Sequence, residues 1–264
     1  MIYLNPEVRS GLGEDTFWTW FHREFPKSTF AAAPKVLAPD DCLLQYSTMG
    51  PPSSVGITIG LMWELYHEMR DQLKSSEWNK KIAKVEACAK SCKHLVVASE
   101  LMSPCYEPFG KVDVIPIGVD TELFRPPQDK AALRESLGMP DEYTVFWCGT
   151  KHLMKGYDSL SKMMVLKPDW NFVVQWKHQS ISQTALARIM QACDAVAVVG
   201  LLRPYFMVEW EAMACDLAVL KSTDMVKDFE PSESPRQDVF SRGWSRKDAR
   251  TTWAHYLTSK GVDV

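Results

Sequence analysis

The chain contains no Asp-x-Asp pair, so the two aspartates one residue apart that could clamp a divalent cation are missing. It also lacks any uninterrupted apolar run near the roughly 18 residues of a membrane-spanning helix. Glu7 and Arg9 bring charge too early for the apolar core of a secretory signal. Paired cysteines are missing too. Seven cysteines, an odd number scattered from Cys42 to Cys215, argue against a disulfide framework and for a reducing, cytoplasmic compartment. There is no excess of positive charge: 30 Lys and Arg against 33 Asp and Glu leave −3, so contact with a polyanion must come from a local patch. With 13 Gly and 16 Pro among 264 residues, and no internal repeat or low-complexity tract, collagen, coiled coil and disorder are excluded.

What is present is the balance of a globular protein, 46% hydrophobic, 24% charged and 11% aromatic, in a chain long enough for one large domain or two small ones. Short runs rich in β-branched or aromatic residues read as buried strands: 2–4, 42–46, 95–98 and 112–117, then 143–148, 171–176, 195–199 and 217–220. Helix-period stretches lie between many of them, which predicts an α/β fold with parallel sheets covered by helices on both faces. The clearest helix is 79–94, with Ile82, Val85, Ala89 and Cys92 on one face and Lys80, Lys81, Lys84, Lys90 and Lys93 on the other. A polar segment at 121–130, carrying Pro126-Pro127, reads as a linker. The expected organisation is a first Rossmann-like domain over 1–118, a second over 119–240, and a C-terminal helix in 241–264 packing back toward the first.

Three segments carry possible chemistry. After the first strand, Ser10-Gly11-Leu12-Gly13 leads into an apolar helix; this is either a turn capped by Asp15 or Thr16, or a backbone cradle for an anion. After the strand at 143–148 comes Gly149-Thr150-Lys151, then Lys155-Gly156 and a helix; this is either a solvated loop or a place for two lysines to hold a diphosphate. Met207 to Cys215 reads as a helix in which Glu211 stands among Ala212, Met213 and Ala214, a costly position for a carboxylate unless it pairs or binds a ligand. Cys88 and Cys92 could mimic half a metal site, but with no second pair nearby they read as a core helix face. Glu64 and His67 stand three apart on one expected helix face, where they are ordinary surface groups or partners for an acceptor hydroxyl.

Taken in order, Asp113-Val-Ile-Pro-Ile-Gly-Val-Asp120, Phe124-Arg125-Pro126, Leu137-Gly138, Gly149 to Gly156 and Glu211-Ala-Met-Ala-Cys215 resemble a known pattern. They are similar to the C-terminal half of the large retaining glycosyltransferase family that includes sucrose-phosphate and glycogen synthases. The first half agrees more loosely, through its Gly-rich first turn, Trp63-Glu64, and Val96 to Ser99 ahead of Asp113. The resemblance implies a GT-B fold, two Rossmann-like domains facing a cleft, with a UDP- or GDP-sugar donor and no metal or other cofactor required. It places Lys155 on the donor diphosphate, Thr150 where the family often has Arg, and Glu211 on the donor ribose as the second Glu of an E-x7-E motif. Arg203 stands at the first Glu of that motif, and Pro204-Tyr205-Phe206 replaces its Gly-Phe-Gly neighbours. Glu64, Lys155 and Arg203 are then the expected catalytic residues. Gly11, Gly13, Thr150, Lys151, Tyr205, Phe206, Met207 and Glu211 are the expected donor contacts.

The acceptor is read from charge. The segment 78–95 carries five Lys and one Glu, and 236–260 holds six cations against Asp238 and Asp248, with Trp244 and Trp253 interleaved. Such patches are solvated helix faces or tracks for a phosphate backbone. Lys80, Lys81, Lys84, Arg246 and Lys247 are the expected acceptor contacts. The chain is short for the family and pruned between Trp176 and Ala195, and in this it resembles bacteriophage glycosyltransferases that modify hydroxymethylated pyrimidines in double-stranded DNA. That is the favoured acceptor, reached in the host cytoplasm. A glycan or lipid acceptor, or a non-catalytic module binding nucleotide sugar or nucleic acid, are the alternatives.

Overall fold

The structure is a computed structural model, and it describes every residue except 6–12, 31–37, 39, 50–55, 64–65, 75, 152–154, 177–178, 180, 201–206 and 222–234. The chain separates into two compact units, one made of Met1–Ile117 with Lys247–Val264 and the other of Gly118–Arg246.

The first unit is built on β1 (Ile2–Asn5), α1 (Gly13–Glu24), β2 (Ser28–Phe30), β3 (Cys42–Tyr46), β4 (Ile57–Leu61), α2 (Tyr66–Leu73), α3 (Asn79–Ser91), β5 (His94–Val97), α4 (Ser103–Tyr106) and β6 (Val112–Val114). Its six strands lie in the order β2-β1-β3-β4-β5-β6, all pairs parallel. All five residues of β3 are buried, as expected of a central strand covered on both faces. On α3, Ile82, Val85, Cys88 and Ala89 are buried while Lys80, Lys81 and Lys84 are exposed, so one amphipathic helix supplies both core and charge. The C-terminal segment adds Trp253 to an aromatic core, edge-on to Phe21 at 5.5 Å between centroids, with Phe17 edge-on to Trp63 at 4.8 Å.

The second unit holds α5 (Lys130–Leu137), β7 (Thr144–Gly149), α6 (Tyr157–Leu166), β8 (Asn171–Trp176), α7 (Gln183–Ala192), β9 (Ala195–Val198), α8 (Met207–Ala214), β10 (Ala218–Lys221) and α9 (Pro235–Ser241). A last helix, α10 (Arg246–Ser259), follows. The four strands run in the order β10-β9-β7-β8, again parallel throughout. Helix ends are set locally: the Asp129 carboxylate accepts from the Ala132 N–H at 2.9 Å to start α5, and Gly138, at φ 63°, closes it. At the amino end of the sheet, Asp194 accepts from Lys130 Nζ and the Thr144 N–H, each at 2.7 Å, and from Arg134. Burial alone would raise the Asp194 carboxyl, but these three donors outweigh it and hold it below its ordinary value. Arg236 ties the end of the unit down by donating to the carbonyls of Thr121, Phe124 and Ala214. Trp210 and Trp244 stack at 4.1 Å with planes 5° apart, and the Arg242 guanidinium lies 4.9 Å over the Trp244 ring.

Both sheets share one topological feature. The chain lays its second strand on one side of the first and its third on the other, so the order reverses between β1 and β3 and again between β7 and β9. In parallel sheets, ligands bind outside the carboxyl ends of the strands at such a reversal.

Candidate donor site in the second unit

Thr150, Lys151 and Lys155, three of the expected donor residues, follow β7 at the second reversal. β7 ends at Gly149, followed by half-buried Thr150 and exposed Lys151; Lys155 is exposed just before α6. The Trp147 indole N–H donates to the Lys155 carbonyl at 3.0 Å, fixing the backbone at that lysine. Gly156 then takes φ 70°, and a Cβ there would stand 2.1 Å from the Val199 carbonyl oxygen. Only glycine allows so close a backbone approach, which presses the start of α6 onto the end of β9.

Glu211 projects from α8 and is 5% exposed. Burial pushes its carboxyl up to about 7, with the Arg246 guanidinium pulling the other way. Arg246 in turn pairs with Asp120 at 2.8 Å, and its own backbone N–H donates to the Val119 carbonyl, also at 2.8 Å. The Cys148 thiol, pushed up to about 11 by burial, feels the charges of both Lys155 and Glu211. Cys148 itself is half-buried and lies one residue before the end of β7.

Other expected residues fall elsewhere. Gly11, Glu64, Arg203, Tyr205 and Phe206 lie outside the described residues. Gly13 opens α1, and Met207 opens α8, where it packs half-buried against the core of the second unit. His67 bonds Glu86 at 2.8 Å, joining α2 to α3. Lys80, Lys81, Lys84 and Lys247 are exposed; Arg246 is half-buried in its pair with Asp120. Among the described residues no group of three or more His, Cys, Asp or Glu side chains is placed to hold a metal ion, and no helix is long and apolar enough to cross a membrane. Sequence reasoning missed Trp147, Tyr157 and Trp176, which pack together beside Lys151. Their sole sequence signal is an aromatic residue at or near the end of each of three elements.

Two parallel Rossmann-like sheets in this order define the GT-B fold of glycosyltransferases. Solved structures bear this out across nearly the whole chain. The Anabaena protein HepE, in complex with UDP and glucose, superposes with a TM-score of 0.67 at 14% identity, covering 98% of this chain and 99% of its own. Sucrose-phosphate synthase from Thermosynechococcus elongatus superposes with a TM-score of 0.55 at 17% identity, covering 89% of this chain and 70% of its own. In sequence, the chain is 31% identical over 143 residues to a D-inositol 3-phosphate glycosyltransferase of Segniliparus rotundus, covering 42% of this chain and 31% of that protein. It is 25% identical over 206 residues to the Stackebrandtia nassauensis protein of the same name, covering 55% of this chain and 46% of that protein. The chain thus spans less than half the length of these curated relatives. No protein-family model matches it.

Proposed function

We propose that the protein is a glycosyltransferase that moves a sugar from a nucleoside-diphosphate sugar to an acceptor hydroxyl. The observation that carries this reading is the reversal of strand order in the second parallel sheet, with Lys151 and Lys155 following β7 at its carboxyl end and buried Glu211 on α8. Its sequence similarity to curated glycosyltransferases and the UDP bound to HepE support it further.

In the transfer, the acceptor oxygen bonds to the anomeric carbon and gives its proton to the departing diphosphate, while the bond from that carbon to the β-phosphate oxygen breaks. Negative charge grows on the departing diphosphate. Lys155 and Lys151 meet that charge in place of a divalent cation, and Glu211 accepts hydrogen bonds from the ribose hydroxyls. The anomeric configuration is retained, as the family resemblance implies. Lys155→Ala is expected to lower transfer by at least about 100-fold with the melting temperature unchanged, the usual scale for removing one group that stabilises developing charge. Donor turnover equal to wild type in that variant would remove Lys155 from the reaction.

For the acceptor we favour a hydroxymethylated pyrimidine in phage DNA. The exposed lysines of α3 support an anionic acceptor, because Lys80, Lys81 and Lys84 project from one helix without a balancing carboxylate among the three. A second reading, a glycan or lipid headgroup, is favoured by the curated relatives, whose name specifies an inositol phosphate. Incubation with UDP- and GDP-sugars and either hydroxymethylpyrimidine duplex DNA or phosphorylated polyols and lipids separates the two. Sugar appearing only in the second set rejects the DNA acceptor.

A further inference from the structure

We propose that Tyr157 and Trp176 are positioning residues that hold the Lys151 ammonium where the donor diphosphate arrives; this rests on the donor reading above. Three rings from three elements form one block beside the loop. Trp147 of β7 meets Trp176 of β8 at 5.6 Å and 76°, Trp176 meets Tyr157 of α6 at 5.3 Å and 46°, and Trp147 meets Tyr157 at 5.9 Å and 59°. Strand register brings them together, because Gly149 is paired with Trp176 across β7 and β8. Lys151, two residues past Gly149, then lays its Nζ 5.2 Å from the Tyr157 centroid and 5.7 Å from that of Trp176.

The same block fixes the other end of the loop, since the Trp147 N–H holds the Lys155 carbonyl. Both lysines that follow β7 are therefore tied to one rigid aromatic body. The nature of the tie at Lys151 matters. A carboxylate would restrain the ammonium by neutralising it, and among the described residues none lies within ion-pair distance of Lys151. Ring quadrupoles restrain the cation and leave its net charge intact. A free lysine stem loses rotamer freedom when it closes on an anion, and a side chain already confined loses less. The rings could instead stack on a planar base, but the ammonium already lies over two of them, which favours the positioning role.

Calorimetric titration of the full chain with inorganic pyrophosphate, UDP and uridine tests this. Trp176→Leu and Tyr157→Leu are expected to weaken pyrophosphate and UDP about threefold to tenfold, the scale of an exposed cation–π contact, and to leave uridine unchanged. Trp176→Phe, which keeps a ring face, restores binding. Lys151→Met, a change on an exposed side chain that removes the ammonium and leaves the three rings in place, weakens pyrophosphate to a similar extent, and adding Trp176→Leu to it produces no further loss. Three results overturn the proposal: Lys151→Met binding pyrophosphate like wild type, the two losses adding independently, or Trp176→Leu weakening uridine as much as UDP. Wild-type protein that binds neither UDP nor pyrophosphate overturns the donor reading itself. Normal wild-type binding with unchanged variants overturns only the positioning role.

Discussion

Glu211 stands where two demands on one carboxyl conflict. Its burial in α8 favours the neutral acid, whereas accepting ribose hydroxyls favours the anion. Because the folded protein binds this proton up to about pH 7, and an unfolded chain releases it near 4.5, the group costs stability as pH rises between those values. The loss is about 3 kcal/mol by linkage, present in full above pH 7 and absent below the unfolded value. Glu211→Gln is therefore expected to melt higher than wild type at pH 8 and alike at pH 4.5, while binding UDP more weakly at pH 8, where the wild-type carboxylate is charged. Scanning calorimetry at the two pH values, with and without UDP, checks each half. An equal shift at both would mean that the carboxyl is not titrating as burial requires.

At the scale of elements, the amino and carboxyl ends of the second sheet have separate tasks. Lys130, Arg134, Asp194 and the Thr144 N–H close the amino end as an ion and hydrogen-bond cluster, far along β7 from the loop that carries Lys151 and Lys155. Asp194→Ala removes the carboxylate partner of buried Arg134, which keeps its bonds to the Ala192 and Asp141 carbonyls, and is expected to destabilise the second unit by about 2–3 kcal/mol. Urea unfolding would measure this, and UDP affinity below the transition should not change. Since the Asp194 carboxyl titrates below its ordinary value when folded, its contribution is present above the unfolded value and is lost as pH falls through the folded one. Much of this layout was legible in the sequence. Residues 143–148 and 171–176 read as strands, and β7 and β8 follow them to within a residue. β6 stops at Val114 rather than reaching Ile117, in keeping with Pro116, which has no N–H to extend a ladder. β2, three residues long, is too short to leave a period. Helix α3 ends at Ser91 because Cys92 turns extended and His94 already belongs to β5. Lys155 and Glu211 could be picked out by their order along the chain and by the oddity of a carboxylate among alanines. The rings around Lys151 could not, because Trp176 reaches it only through strand register.

For the whole molecule, the proposed chemistry places the positive charge on two lysines, so sugar transfer is expected to persist in excess EDTA. Activity lost on chelation and restored by a divalent cation would assign that charge to a metal instead. One further consequence lies in how the first unit is assembled. Its core is discontinuous in sequence: Trp253 and Leu257, both fully buried, come from α10, while Phe17 and Phe21, which Trp253 meets, come from α1 in the first 117 residues. The unit between them, Gly118–Arg246, is continuous. As the chain leaves the ribosome, the sheet that starts first must wait for the last helix, and the central unit has all its residues before then. Until α10 emerges, Phe17 and Phe21 lack the indole they pack against.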